Sequence, residues 1–391
     1  MIRALRLNVL KPGVFSRINS LKSQMLCTGK DVIDLSVGSP DMAPASHIKS
    51  ALLEAVANDS NYGYTLTEGL PQFKEAVTQW YKTYYNVLLD PNKEVLPLMG
   101  SQDGLTHIYW ALLNPGDIAL VPDPGYPIYS DGARLAGGIV YPMPLLEENN
   151  YLPDLSQIPK NILKKSKIII LNYPSNPLAA TATKEFFEEV IDFAHTYNIV
   201  VCHDFAYSEL SYDGYKNISF LELPGAKEVG VEFHSISKTY NLAGCRLGFV
   251  SGNPEVIAAL RLIKSNIDYG SFRPIHLAAT AALSGSQDCV RQNALAYEKR
   301  RDVLVDELAN FGWYIKKPKA SMFVWAKIPI PKFSAEKFAT NLLLEKGVAV
   351  VPGIAFGDCG EGYLRIGLVQ DQSTLKEAGK RMGEFLSTSS L

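Results

Sequence analysis

The feature that most narrows the fold is an alternation, through the middle of the chain, of short β-branched apolar runs with segments of helical spacing. The runs are IALVPD at 118–123, KIIILNYP at 167–174, NIVVCHD at 198–204 and VEFHSI at 231–236, each leading into a polar turn. Between them, KEFFEEVIDFAHTY at 184–197 has apolar residues at helical spacing and an acidic beginning that suits a helix N-terminus. This pattern predicts an α/β layer fold with a mostly parallel sheet between helices. Ligands in such sheets sit beyond the C-terminal ends of the strands, where this chain concentrates its polar residues.

The 391 residues suffice for one large domain and a smaller one. A long helix is predicted over 286–311, closed by Gly312. It bridges a large domain at 45–287 to a smaller α/β domain built from 288–391 and the N-terminal segment 1–44. The formal net charge of −2 and the lack of a long basic run argue against a nucleic-acid binder. Arg3 and Arg6 interrupt the N-terminus before a signal-peptide core can form, and no run approaches the ~18 apolar residues of a membrane span. Five scattered cysteines, with no CxxC or HExxH, support neither a disulfide framework nor a zinc site and fit a reduced cytoplasm.

The chemistry concentrates in HSISKTYNLAGCRLGF at 234–249. A Lys-Thr pair invites a nucleotide-loop reading, but that loop needs glycine before the lysine and Ser237 stands there. Ser235, Ser237 and Arg246 supply the hydroxyls and fixed positive fork that a phosphate dianion requires. In GSQDG at 100–104, Ser101 and nearby backbone N–H groups would lie at a helix N-terminus, favourable for the same anion. Asp204 ends a strand with Tyr207 three residues on. Such a carboxylate either caps a turn or pairs with a cation, for instance a protonated pyridine nitrogen whose proton it would hold in place. Asn176 in NYPSNPL and Tyr207 can reach a ring oxygen, Tyr126 in PDPGYP can stack on a ring, and Arg365 in YLRIGL can fork onto a carboxylate. Taken singly, each has an ordinary structural role as turn former, packing residue or surface charge.

Together these residues resemble the class I/II aminotransferases of pyridoxal-phosphate (PLP) fold type I. The order Tyr64, Ser101, Tyr126, Asn176, Asp204, Tyr207, Ser235, Lys238, Arg246, Arg365 follows that family across nearly the whole chain, with Asp-x-x-Tyr and Ser-x-Ser-Lys spacings. The resemblance implies a PLP-dependent transaminase working by a ping-pong mechanism, with the cofactor joined to Lys238 as an imine. It implies that Ser101, Gln102, Ser235, Ser237 and Arg246 hold the phosphate, that Asp204 meets the pyridine nitrogen, and that Asn176 and Tyr207 hold the ring oxygen. Tyr126 would stack on the ring. Arg365, assisted by Asn176 and the backbone at Gly38, would grip the substrate carboxylate. Tyr64 would reach the phosphate of a neighbouring subunit, which implies a homodimer. Substrates would be an L-amino acid and a 2-oxo acid.

Stretches such as VPDPGYPIY, HDFAYSELSYDGYK and NIDYGSF look closest to LL-diaminopimelate aminotransferases and to relatives acting on aspartate or methionine-type keto acids. Leu178 and Ala179 in NPLAA replace the Thr-Gly common in the family, and Cys245 replaces a usual Trp. The first departure would reshape the turn holding Asn176. His203 is a tuner of Asp204 or a satisfied structural histidine. Arg273 and Lys264 would be solvated surface charges, or would meet a distal substrate carboxylate. A carbon–sulfur β-lyase on the same fold uses the same lysine and is the alternative. A PLP-binding regulator would need a DNA-binding module that residues 1–44 are too short to supply.

Overall fold

The computed structural model describes residues 2–10 and 14–388, so Met1, Lys11–Gly13 and 389–391 of the expected smaller domain lie outside the described residues. In chain order the strands are β1 (Ile33–Asp34), β2 (Val95–Leu98), β3 (Ile118–Asp123), β4 (Ile139–Pro144), β5 (Ser166–Asn172), β6 (Val200–Asp204), β7 (Gly230–Ser235), β8 (Gly248–Gly252), β9 (Phe323–Lys327), β10 (Val348–Ala349), β11 (Val351–Pro352) and β12 (Tyr363–Gly367). Seven of them form the main sheet in the order β2-β8-β7-β6-β5-β3-β4. β8 runs antiparallel to both neighbours, and the other pairings are parallel. A three-stranded antiparallel sheet, β11-β12-β9, and the parallel pair β1-β10 lie apart from it.

Strand periodicity sorts the central residues to two faces. Ile118, Leu120, Ile169, Leu171 and Val201 pack with Phe73, Phe187 and Val190 on one side. Ala119, Val121, Ile168, Ile170 and Phe233 pack with Leu105, Ile108 and Leu260 on the other. Burial on both faces is why these strands read as continuous apolar runs rather than alternating ones. Both edge strands carry proline, Pro97 in β2 and Pro142 and Pro144 in β4, where a missing N–H costs no ladder bond. A separate core gathers Ile18, Met25 and Leu35 with Leu304, Val324, Phe338, Ile366 and Phe385.

The helix expected at 184–197 spans Lys184–Tyr197, its start capped by Thr183 Oγ1 accepting from Phe186 N at 3.2 Å. The long helix runs Asp288–Ala309, two residues shorter at each end than expected. Gly312, at φ +80°, reverses the chain after it, with Trp313 N donating to Leu308 O at 3.1 Å. The sequence reading passed over β8, because a five-residue run with two glycines lacks the usual strand composition. Gly248 is required there: a Cβ would stand 2.6 Å from His234 O and 2.8 Å from Ser101 N. Both neighbours are backbone and cannot yield easily. Gly248→Ala should therefore cost about 2 kcal/mol in denaturant unfolding, the usual scale of overpacking. Unchanged stability would show that the β7–β8 seam can open by several tenths of an ångström.

Candidate active site

The C-terminal ends of β3, β5, β6 and β7 open onto one cavity of about 370 Å³. Ser101, Gln102, Tyr126, Asn176, Asp204, Tyr207, Ser235, Ser237, Lys238, Arg246, Arg365 and Gly38 all line it. Tyr64 does not. It is mostly exposed, with its ring 5.6 Å from that of Tyr269.

Lys238 lies in a short helix directly after β7, and its Nζ donates to Gly38 O at 2.5 Å. Burial, then the positive charges of Arg365 and Arg246, lower its pKa to about 8, against an opposing pull from Asp204. Asp204 is buried, which raises its pKa. Tyr129 OH, donating to Oδ2 at 2.7 Å, and Ala206 N, donating to Oδ1 at 3.2 Å, offset part of that rise. Arg365, expected as a surface ion pair if it had no ligand role, is buried. Its Nη1 donates to Asn176 Oδ1 at 3.0 Å and its Nη2 to Ser36 O at 2.7 Å, while its guanidinium lies over Phe323. Burial lowers Arg365 to about 10.

Other lining residues offer groups suited to an anion. The helix Ser101–Leu112 begins after Gly100, whose φ of +83° favours glycine and whose missing Cβ leaves room for the Arg246 guanidinium. First-turn N–H groups have no partner within their own helix, so Ser101 and Gln102 offer donors there. Tyr126 OH donates to Gln102 Oε1 at 3.0 Å. Ser237 Oγ is buried with no hydrogen-bond partner among the described residues. An unsatisfied hydroxyl, a helix N-terminus and an arginine facing one cavity fit a phosphate group, and the buried Asp204 at the far end fits a cationic ring nitrogen.

Sequence reasoning missed Tyr129, which holds Asp204; its only signal was its place three residues after Tyr126. It also left His203 open between two roles. His203 points to the opposite face of the sheet, where Nδ1 meets Glu232 Oε2 at 2.9 Å and Nε2 meets Tyr173 O at 3.0 Å, so its ring is structurally satisfied while its charge still pulls Asp204 down. Glu232 also accepts from Tyr81 OH at 2.8 Å, Ser219 Oγ at 2.8 Å and Phe220 N at 2.8 Å. Burial alone would raise Glu232, but the bonds from His203 and His234 overcome it and hold the carboxyl well below its usual range. Lys264, expected at the solvated surface, is instead buried between Asp103 and Asp268. Arg273 opens a helix, half-buried, outside the cavity lining.

The turn after β5 keeps its closure despite the substitutions in NPLAA. Ala179 N donates to Ser175 O at 3.0 Å and Ser175 N to Ala180 O at 3.0 Å. Ala179 pays for this with φ +53°, and Leu178 is buried beside Leu145, Trp325 and Val351. Cys245 ends a short 3₁₀ turn ahead of Arg246, itself left-handed at φ +55°.

A family model for aminotransferases of class I and II matches residues 30–382. The LL-diaminopimelate aminotransferase of Dehalococcoides mccartyi is 45% identical over 382 residues, covering 98% of this chain and 98% of that protein. That of Syntrophobacter fumaroxidans is 46% identical over 381 residues, covering 97% and 98%. The solved structure of apo-BacF from Bacillus subtilis superposes with a TM-score of 0.95 at 39% identity over 98% of both chains.

Three outcomes follow from this geometry. Acetylation of Lys238 in cofactor-free protein, followed by mass spectrometry, should rise with pH about a midpoint near 8, because only the neutral amine reacts. Asp204→Asn should move that midpoint down, since Asp204 is the one group among its named neighbours that favours the charged amine. Ala179→Gly should stabilise the fold by about 1 kcal/mol in denaturant unfolding, by relieving left-handed strain. A loss of stability would show that the buried methyl outweighs the strain.

Proposed function

From the premise that the chain belongs to the class I and II aminotransferases and is a PLP-dependent transaminase, we propose that Lys238 holds the cofactor and that LL-diaminopimelate is the amino donor. The observation that carries the site assignment is one cavity lined by Lys238, Arg246 and Arg365 with Asp204 as its carboxylate. In this reading Ser101, Gln102, Ser235, Ser237 and Arg246 hold the phosphate, and Asn176 and Tyr207 hold the ring oxygen. Tyr126 stacks on the ring. The donor assignment rests on the names of the relatives at 45–46% identity. None of the relatives reported above is named a lyase.

When bound, the cofactor supplies a protonated ring that withdraws electrons and so makes the Cα–H bond of an amino acid acidic. Asp204 keeps the ring nitrogen protonated. A cation placed there would in turn counter the burial that raises Asp204. Arg365 fixes the α-carboxylate from a buried, bidentate-capable position, so that Cα presents its hydrogen toward Lys238. Lys238 Nζ, once it is a free amine, would take that proton and return it on the way to product. An amine whose pKa lies near 8 is suited to both roles close to neutral pH. The carbonyl of Gly38, already within hydrogen-bond distance of Nζ, steers the amine.

We assign 45–287 to a large domain and 1–44 with 288–391 to a small one, supported by a core that joins Ile18, Met25 and Leu35 mainly to residues from 297 onward, with Ala206, Tyr207, Leu210 and Tyr212 packing into it from the large domain. We also assign a homodimer in which Tyr64 reaches the neighbouring site. Exposed Tyr62, Tyr64, Tyr269 and Phe272 form an aromatic patch suited to contact with a second copy. A cytoplasmic location fits five free cysteines.

The test is a half-reaction panel without acceptor. LL-diaminopimelate, L-aspartate, L-glutamate, L-alanine and L-methionine are each mixed with the PLP-loaded protein, and the keto acid formed is identified by mass spectrometry. LL-diaminopimelate should react at least about tenfold faster than the others, the discrimination expected when a distal polar group is recognised. A faster reaction with another donor would replace the substrate assignment. Pyruvate and ammonia released from cystathionine, with no donor converted, would replace transamination by β-elimination.

A further inference from the structure

Outside the cavity, a buried charge cluster that the mechanism does not use lies behind the start of the helix Ser101–Leu112. Lys264 is only 1% exposed at its side chain. Its Nζ lies 2.5 Å from Asp103 Oδ2 and 2.8 Å from Asp268 Oδ2. Asp103 stands in the first helical turn, immediately after Ser101 and Gln102. Its Oδ2 accepts from Met99 N at 2.9 Å, and its Oδ1 lies 2.7 Å from His107 Nδ1. The carboxylate thus closes the backbone ahead of the helix and fixes where the first-turn N–H groups point. It also places a negative charge at the one helix end that must receive a phosphate.

Asp268 carries the connection further. Its Oδ1 accepts from Gly270 N at 2.8 Å, and Thr65 Oγ1 donates to Ser271 O at 2.5 Å. Gly270 has φ +82° and no room for a Cβ against Leu66 O. The 65–67 segment beside Tyr64 and the 268–271 loop are therefore locked together, and Lys264 joins that pair to the helix start.

We propose that Lys264 is a positioning residue for the cofactor phosphate, offsetting the Asp103 charge at the helix start while tying it to the 268–271 loop. This rests on the assignment of the phosphate to Ser101, Gln102 and Arg246. Burial would raise Asp103, but the hydrogen bond from His107 and the charge and bond of Lys264 hold it at about 2, so it is ionised at neutral pH. Without Lys264, the Asp103 charge in the first turn of that helix would be left uncompensated by a cation on that side.

The experiment measures dissociation constants by equilibrium dialysis of cofactor-free protein against PLP and, separately, against pyridoxal, which lacks the phosphate. Lys264→Met should weaken PLP about tenfold, the scale of one uncompensated charge at a partly buried helix start, and leave pyridoxal unchanged. Lys264→Met combined with Asp103→Asn should recover most of the PLP affinity. Equal loss for both ligands, or no recovery in the double variant, overturns the proposal by reducing Lys264 to a general structural role. Should Lys264→Met fail to fold, Asp103→Asn alone decides. With Lys264 still paired to Asp268, it should bind PLP at least as tightly as the parent, and weaker binding overturns the proposal. A parent protein that binds PLP no better than pyridoxal refutes the phosphate assignment itself, a result distinct from either.

Discussion

The structure is organised around an excess of positive charge in one cavity. Lys238, Arg246 and Arg365 line one cavity, and Asp204 is the carboxylate among its lining residues. Arg246 is exposed, but Lys238 and Arg365 are held largely out of water, and charges of like sign so placed are costly unless something negative joins them. Burial lowers both Lys238 and Arg365, and at Lys238 the positive charges of Arg365 and Arg246 add to it. A phosphate dianion and a substrate carboxylate are the two anions that would relieve this excess at opposite ends. The same unfavourable field that loosens the proton on Lys238 therefore also attracts the ligands. Binding and acid–base readiness come from one arrangement.

That arrangement depends on the sheet keeping two carboxylates on different faces. Asp204 and Glu232 sit in neighbouring strands, β6 and β7, and both are buried. Glu232 lies among His203, His234, Tyr81 and Ser219, and is fully supplied with donors. Asp204 has a phenol and one backbone N–H, which leaves it short of a cation. The period of two along a strand separates them, since His203 and Asp204 are consecutive and face opposite ways. One carboxylate is satisfied and structural, and the other is left available to a ligand.

The fold was legible where burial is uniform. β3 has the bounds that its apolar run implies, and the helix Lys184–Tyr197 begins and ends where its spacing and acidic start place it. The run at 167–174 overshoots β5, because Tyr173 and Pro174 continue the apolar pattern after the chain has left the sheet. β8 was not legible, since its glycines are there for backbone clearance, which composition does not express. In the cavity, residues with a spaced motif were found together: Ser235, Lys238 and Arg246 on one segment, Asp204 and Tyr207 on another. Tyr129 belongs to no motif and enters only through a hydrogen bond across 75 residues of sequence. Lys264 was misread for the same reason, its partner Asp103 being 161 residues away.

The departures from the family pattern show which constraints belong to the backbone and which to side chains. At Ala179 the requirement is a left-handed turn, and alanine meets it at the cost of strain, because Ser175 still closes the loop with three hydrogen bonds from and to its backbone and Oγ. Asn176 is consequently still presented to Arg365 at 3.0 Å. The bulk at Leu178 is absorbed elsewhere, in a contact with Trp325 and Val351 that joins the turn to the small sheet carrying Arg365. That contact couples the position of Asn176 to that of the arginine more tightly than a polar side chain at 178 could. Substitutions beside catalytic groups are thus tolerated when the backbone geometry survives, and they alter the site through what they pack against.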